Sequence, residues 1–260
     1  MLAINPFAVL SASIPPAVMQ AYVLLMVVLV ALGTLIDIVH KGSARYFFDN
    51  WRRTKGTAKK VGGGEMLSLA AQTAVVDVLA SGEFCSMRRR IAHLLTMYGF
   101  IIYVVATAVM VFRYPTPAAP TPDAWPHLWW LGALMVLPGG YWLWFFIRVD
   151  MAAEGSSPFR VMRADLFVLS LLASVTLGVI WAWAQASGSA GSLAWFALYI
   201  AATTVLFGSV PWSKFAHMFF KPAAAFEKRV ANANGTRANL PAPADKPEQF
   251  GSARTAPRHY

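Results

Sequence analysis

AHLLTMYGFIIYVVATAVMVF, residues 92–112, runs for twenty-one residues without a Lys, Arg, Asp or Glu; its only imidazole, His93, stands at the start. A hydrocarbon core of about 30 Å is crossed by about 20 apolar residues in a helix. Backbone groups in lipid must pair within their own segment, so a helix is the form such a run takes. This run predicts a membrane-spanning helix, and the rest of the chain follows its pattern.

Four other runs have the same character: roughly 18–39, 128–147, 165–185 and 192–220. The first, VMQAYVLLMVVLVALGTLIDIV, carries one acid, Asp37, near its end. The third span, LWWLGALMVLPGGYWLWFFI, contains Pro138-Gly139-Gly140, which predicts a kink or a local opening. The fifth starts near Leu193 and is expected to run past Pro211 to His217. The expected fold class is therefore an all-α integral membrane protein, a five-transmembrane-helix bundle.

Composition agrees. Of the 260 residues, 57% are hydrophobic and 13% charged, with 10 Trp and 17 Phe, and the mean hydropathy is +0.51. A soluble domain carries about 25% charged residues. The net charge of +10 raises the question of nucleic acid, which its distribution answers. Segments 40–91, 148–164 and 213–260 hold 10, 3 and 8 Lys/Arg, leaving Arg113 alone on the opposite side. Such asymmetry marks cytoplasmic segments. The N-terminus is thus expected outside and the C-terminus in the cytoplasm, with no nucleic-acid partner. The first residues lack the basic n-region of a signal peptide, so the first run is expected to be retained. The expected organisation is an outer segment 1–17, a five-helix membrane domain 18–230 with a cytoplasmic loop 40–91, and a disordered cytoplasmic tail 231–260. The expected location is the bacterial inner membrane, multi-pass.

Within the loop, a basic stretch with interleaved aromatics (41–60) reads as lying on an anionic leaflet. EMLSLAAQTAVVDVL (65–79) has apolar residues at helical spacing and reads as an amphipathic helix, resting on the membrane or receiving a soluble partner. Cys85 is the single cysteine, so there is no cysteine cluster for zinc or iron–sulfur.

The ionisable residues near the spans are the candidates for chemistry. Opposite helix directions bring His93 and His217 to similar depth at the cytoplasmic boundary. Two neutral imidazoles at matched depth suit axial ligation of a b-type haem, with Arg88, Arg89 and Arg90 placed to neutralise its propionates. The alternative is that both are interfacial histidines and the arginines a topology signal. Asp37 and His40 lie three residues apart on one helix face and are candidates for handling protons at a quinone. The alternative there is a snorkelling or Arg-paired acid. His127, beside Trp129 and Trp130, reads as part of an aromatic belt.

Two segments, SGEFCSMRRRIAHLLTMYGFIIYV (81–104) and PWSKFAHMFFKPAAAFEKRV (211–230), carry a resemblance. They resemble the membrane cytochrome b subunits of the heterodisulfide reductase type, related to the gamma subunit of respiratory nitrate reductase. The lack of a fused ferredoxin-like domain narrows this to the membrane anchor associated with dissimilatory adenylylsulfate reductase. The resemblance covers roughly 65–230. It implies haem ligands on the second and fifth helices, at His93 and His217. Where members with two haems have further histidines, this chain offers Tyr103 and Tyr199. The implied function is an electron-transfer subunit of an oxidoreductase complex in sulfur metabolism. It would pass electrons between cytoplasmic redox enzyme subunits and membrane quinone through one haem b. Two rivals are a haem-free tether for a soluble enzyme and a small transporter, the latter requiring inverted repeats that the sequence does not show.

Overall fold

The structure, a computed structural model, describes residues 2–40, 49, 52, 60–82, 84, 86–147, 161–162, 165–213 and 217–235; the side chains at 217, 219 and 220 are outside that set. The described residues are helical throughout: α1 (Pro6–Leu10), α2 (Pro16–His40), α3 (Gly63–Gln72) continued by a π-helical segment (Thr73–Leu79), α4 (Met87–Arg113), α5 (Ala124–Trp142) continued by a second π-helical segment (Leu143–Ile147), α6 (Leu166–Ala186), α7 (Ser192–Gly208) and α8 (His217–Ala233). Four of these, α2, α4, α5 with its π extension, and α6, are long and apolar enough to cross a membrane.

The expected fifth run does not form one helix. α7 has 17 residues, about 25 Å at 1.5 Å per residue. Pro211 has no N–H to continue the ladder, and its ring clashes with the carbonyl four residues back. The chain turns there instead, with Trp212 N–H and Ser213 N–H both donating to the Ser209 carbonyl. α8 then starts at His217 as a separate amphipathic helix. Irregularity in α5 is likewise displaced: the helix passes through Pro138 and widens at Leu143. Neighbouring helices and local π adjustment absorb a membrane-embedded proline in this way.

α4 and α5 form the tightest pair. A Cβ on Gly132 would meet the backbone nitrogen of Tyr103 at 2.6 Å and the Gly99 carbonyl oxygen at 2.8 Å. Two helices approach this closely in lipid only where small residues leave room for the backbones. α6 and α7 form the second pair, and α6 also packs against α5. Between the pairs lies a core of Tyr103, Met110, Trp129, Val136, Val175, Trp181 and Tyr199. Trp181 stacks on Tyr199 at 5.7 Å, and Phe7 packs against Trp181 at 5.2 Å.

α1 plugs one end of this core. Asn5 caps it, its Oδ1 accepting from the N–H groups of Phe7 and Ala8 while its Nδ2 donates to the Tyr114 carbonyl and Thr121 Oγ1. Pro6 at the first helical position fits this start. The sequence reading treats 1–17 as a plain outer segment, although Asn-Pro carries the signal for a capped helix.

Candidate functional site

α2 stands off from the rest of the bundle and is pinned at its two ends. Near its start, Gln20 Nε2 donates to the Val111 carbonyl on α4 (3.2 Å), and the Tyr22 hydroxyl donates to the Ile200 carbonyl on α7 (3.1 Å). Tyr22 also shares a hydrogen bond with Thr204 Oγ1 at 2.9 Å. Further along, Gly33 lies against Val210 and Pro211, where a Cβ would meet Val210 Cβ at 2.8 Å. α2 closes only in part on its neighbours, with Met26 buried, and leaves a cleft of about 810 Å³ bounded by α2, α4, α6 and α7.

Among its described lining residues there is no Lys, Arg, His, Asp or Glu. Val27, Ala31 and Phe207 are typical of its surface, and hydroxyl residues stand in the wall behind. Those hydroxyls mostly serve the protein itself. Tyr103 Oη donates to Tyr199 Oη (3.4 Å), and Ser174 Oγ pairs with Thr203 Oγ1 (2.7 Å). Thr107 donates to the Tyr103 carbonyl and accepts from Trp129 Nε1. Gly178 makes the tyrosine pair possible, since a Cβ there would lie 2.6 Å from Tyr103 Oη. The Thr34 hydroxyl, on the α2 side, has no hydrogen-bond partner. Val27, Leu35 and Val104 on the rim are exposed, so the cleft opens sideways from the helices. Chemically this is a receptacle for an elongated apolar molecule. A buried ionised group would meet no compensating charge there.

The residues singled out in the sequence lie elsewhere. His93 and Arg90 come together at a joint where the π segment after α3 meets the start of α4. His93 Nδ1 is 3.1 Å from Ser81 Oγ, and the ring packs on Phe84 at 4.9 Å. Arg90 Nε donates to the Ala80 carbonyl (2.7 Å) and Tyr98 Oη to the Leu79 carbonyl (2.7 Å). These bonds satisfy carbonyls left over at a helix end. Asp37 is buried in α2 and His40 is exposed as its last residue, and neither lines the cleft. His217 opens α8, with its side chain outside the described residues. The pairing of His93 with His217 therefore falls outside them too, as does Cys85. Among the described residues, no group of three or more His, Cys, Asp or Glu is placed to hold a metal ion. His127 Nδ1 lies 2.6 Å from the Asp123 carbonyl, an exposed contact within one helix turn.

On the same side, the π segment and α8 are clamped by Arg229, whose Nε and Nη2 donate to the Asp77 carboxylate at 2.6 and 3.0 Å and whose Nη1 donates to Gln72 Oε1 at 3.3 Å. The sequence reading missed both the clamp and the cleft. The described lining of the cleft has no charged residue to mark it in the sequence, and the clamp joins residues 152 positions apart.

Comparison with known proteins gives a consistent assignment. The family described as citrate utilization protein B matches residues 1–239. A curated Escherichia coli protein named citrate utilization protein B is 29% identical over 168 residues, covering 62% of this chain and 42% of that protein. The chain thus spans about two fifths of the curated relative it matches. No solved structure matches. The family match overturns the sequence reading of a heterodisulfide reductase or nitrate reductase gamma type cytochrome b, and of an adenylylsulfate reductase anchor in particular. With it fall the functions of haem-based electron transport and sulfur metabolism. The physical reason lies in what carried that resemblance: an arginine run and histidines at helix ends, which positive-inside topology places in many multi-span proteins. Here Arg90 and His93 make bonds that join two helices. The chain belongs to the citrate utilization protein B family.

Proposed function

We propose that this chain is the membrane-embedded component of a citrate-utilisation system, and that its cleft receives an apolar molecule dissolved in the bilayer. The family supports the citrate connection. The observation that carries the second part is the lining of the cleft, whose described residues include no Lys, Arg, His, Asp or Glu. Citrate, a polyanion at neutral pH, finds no cation there. Its recognition therefore belongs to other surfaces or to a partner protein at the basic end of the bundle. A quinone with its isoprenoid tail, expected from the sequence, is one molecule with the required character and stands as a proposed ligand of the cleft.

The arrangement proposed is five spans with the N-terminus outside, in the bacterial inner membrane. α7 serves as the fifth span, shortened to about 25 Å, a mismatch that tilt of its neighbours or local thinning of the bilayer accommodates. The distribution of Lys and Arg supports the orientation.

The test is growth on citrate as sole carbon source, in a strain lacking the gene and complemented with wild-type or Ala31→Trp protein. Ala31 lines the cleft, and an indole there adds bulk at its wall. The expected result is loss of growth on citrate, with the protein present in the membrane at the wild-type level. Normal growth of the filled variant, or a deletion strain that uses citrate unimpaired, would refute the proposal.

A further inference from the structure

The surface left over after the cleft and the clamp is the outer face of α3 and its π continuation. Leu67, Ala71, Val75 and Leu79 follow one another at intervals of four and are all exposed, Leu67 at 73%. An interval of four is close to one turn in the α-helical part and in the wider π-helical part, so they share one side of the segment. Thr73, which is buried, and Asp77, which holds Arg229 of α8, lie on the other side. Phe84 and Met87 extend the apolar stripe to the start of α4 and are also exposed.

The depth of this stripe follows from α4. Its 27 residues span about 40 Å, about 10 Å more than the hydrocarbon core. The far end closes on Arg113 and Tyr114. Counting about 20 residues back from Phe112 reaches His93, so Met87–Ile91 protrude into the headgroup layer. Arg90 and Tyr98 of α4 hold the carbonyls of Ala80 and Leu79. The C-terminal end of the π segment is thereby fixed at the edge of the hydrocarbon. Met87 and Ile91 at the start of α4 are exposed too, so apolar surface continues along the chain from the stripe into a span. Arg88 and Lys60 are exposed nearby in the chain, and residues 41–60 hold seven Lys/Arg.

We infer that residues 63–79 form an interfacial helix whose Leu67–Ala71–Val75–Leu79 face lies in the headgroup layer of an anionic phospholipid leaflet. The apolar side chains enter the acyl boundary, as in monotopic amphipathic helices. Lys60 and Arg88 meet lipid phosphates. Continuity with α4 and the basic charge favour lipid over a soluble protein as the occupant.

The experiment uses the full chain in nanodiscs, made from phosphatidylcholine alone or with phosphatidylglycerol added. In a Cys85→Ser background, Leu67→Cys, Leu79→Cys and, as a control on the exposed side of α8, Lys228→Cys are labelled with an environment-sensitive fluorophore. The expected result is blue-shifted emission with quenching by doxyl lipid at positions 67 and 79, strengthened by phosphatidylglycerol, and water-like emission at 228. Hydrogen exchange of the unsubstituted chain gives a second readout, with slower exchange over 63–79 in the anionic discs. Water-like emission at 67 and 79 in both lipid compositions overturns the inference. So does shielding that arises only when a soluble protein fraction is added, which would assign the face to a protein partner. The outcome does not depend on growth on citrate, so the two proposals fail separately.

Discussion

Adding one methyl group at Gly132 tests whether α4 and α5 meet backbone to backbone. The new Cβ would lie 2.6 Å from the Tyr103 nitrogen and 2.8 Å from the Gly99 carbonyl oxygen. Ordinary contact is 3.4–4 Å, and backbone atoms cannot rotate out of the way as a side chain tip can. The helices must therefore separate by several tenths of an ångström, and overpacking of that kind costs about 1–3 kcal/mol. Alanine's better helix propensity returns about 1 kcal/mol of this. Gly208 supplies the contrast, being helical with nothing within 4 Å of an added Cβ. There only the propensity gain remains. Gly132→Ala should lower the unfolding temperature in detergent, read by tryptophan fluorescence, while Gly208→Ala leaves it unchanged or raises it. Equal shifts for the two variants would show that the α4–α5 contact is looser than described, and would refute the argument.

Two other substitutions probe the remaining joints. Asn5→Ala removes a helix cap worth about 1 kcal/mol together with the ties to Tyr114 and Thr121; amide exchange at Phe7 and Ala8 should accelerate about fivefold or more, and unchanged exchange would exclude the cap as the anchor of α1. Asp77→Asn breaks the fork with Arg229, and because both side chains keep some contact with water the loss should be about 1 kcal/mol. It should be seen as faster exchange across 63–79, and high salt should reproduce part of it in the wild type.

Hydropathy made the four long spans legible, because a hydrocarbon-crossing helix admits few alternatives. It overran the end of the fifth run, where apolar character continues through Trp212 and Phe215 while the helix stops at Gly208, before Pro211. Composition measures solvent preference, and the ladder obeys a separate local rule. The amphipathic reading of 65–79 corresponds to α3 and its π extension, although the widening at Thr73 has no counterpart in side-chain periodicity. α1 was readable from Asn5-Pro6 and was missed because five residues scarcely register in a hydropathy window. The candidate site was the least legible part. Attention went to His93, His217, Arg90, Asp37 and His40 because ionisable groups near lipid are unusual. The cleft is built from residues common to any span, and it exists because α2 packs only in part against its neighbours. Such a gap is a property of four helices at once and leaves no mark on any single segment.

That gap faces along the bilayer plane. Whatever occupies it arrives by diffusion in two dimensions and competes with the surrounding acyl chains for the same room. Its occupancy is governed by mole fraction in the lipid, so a dissociation constant measured by titration from water would change with the amount of detergent or lipid in the tube.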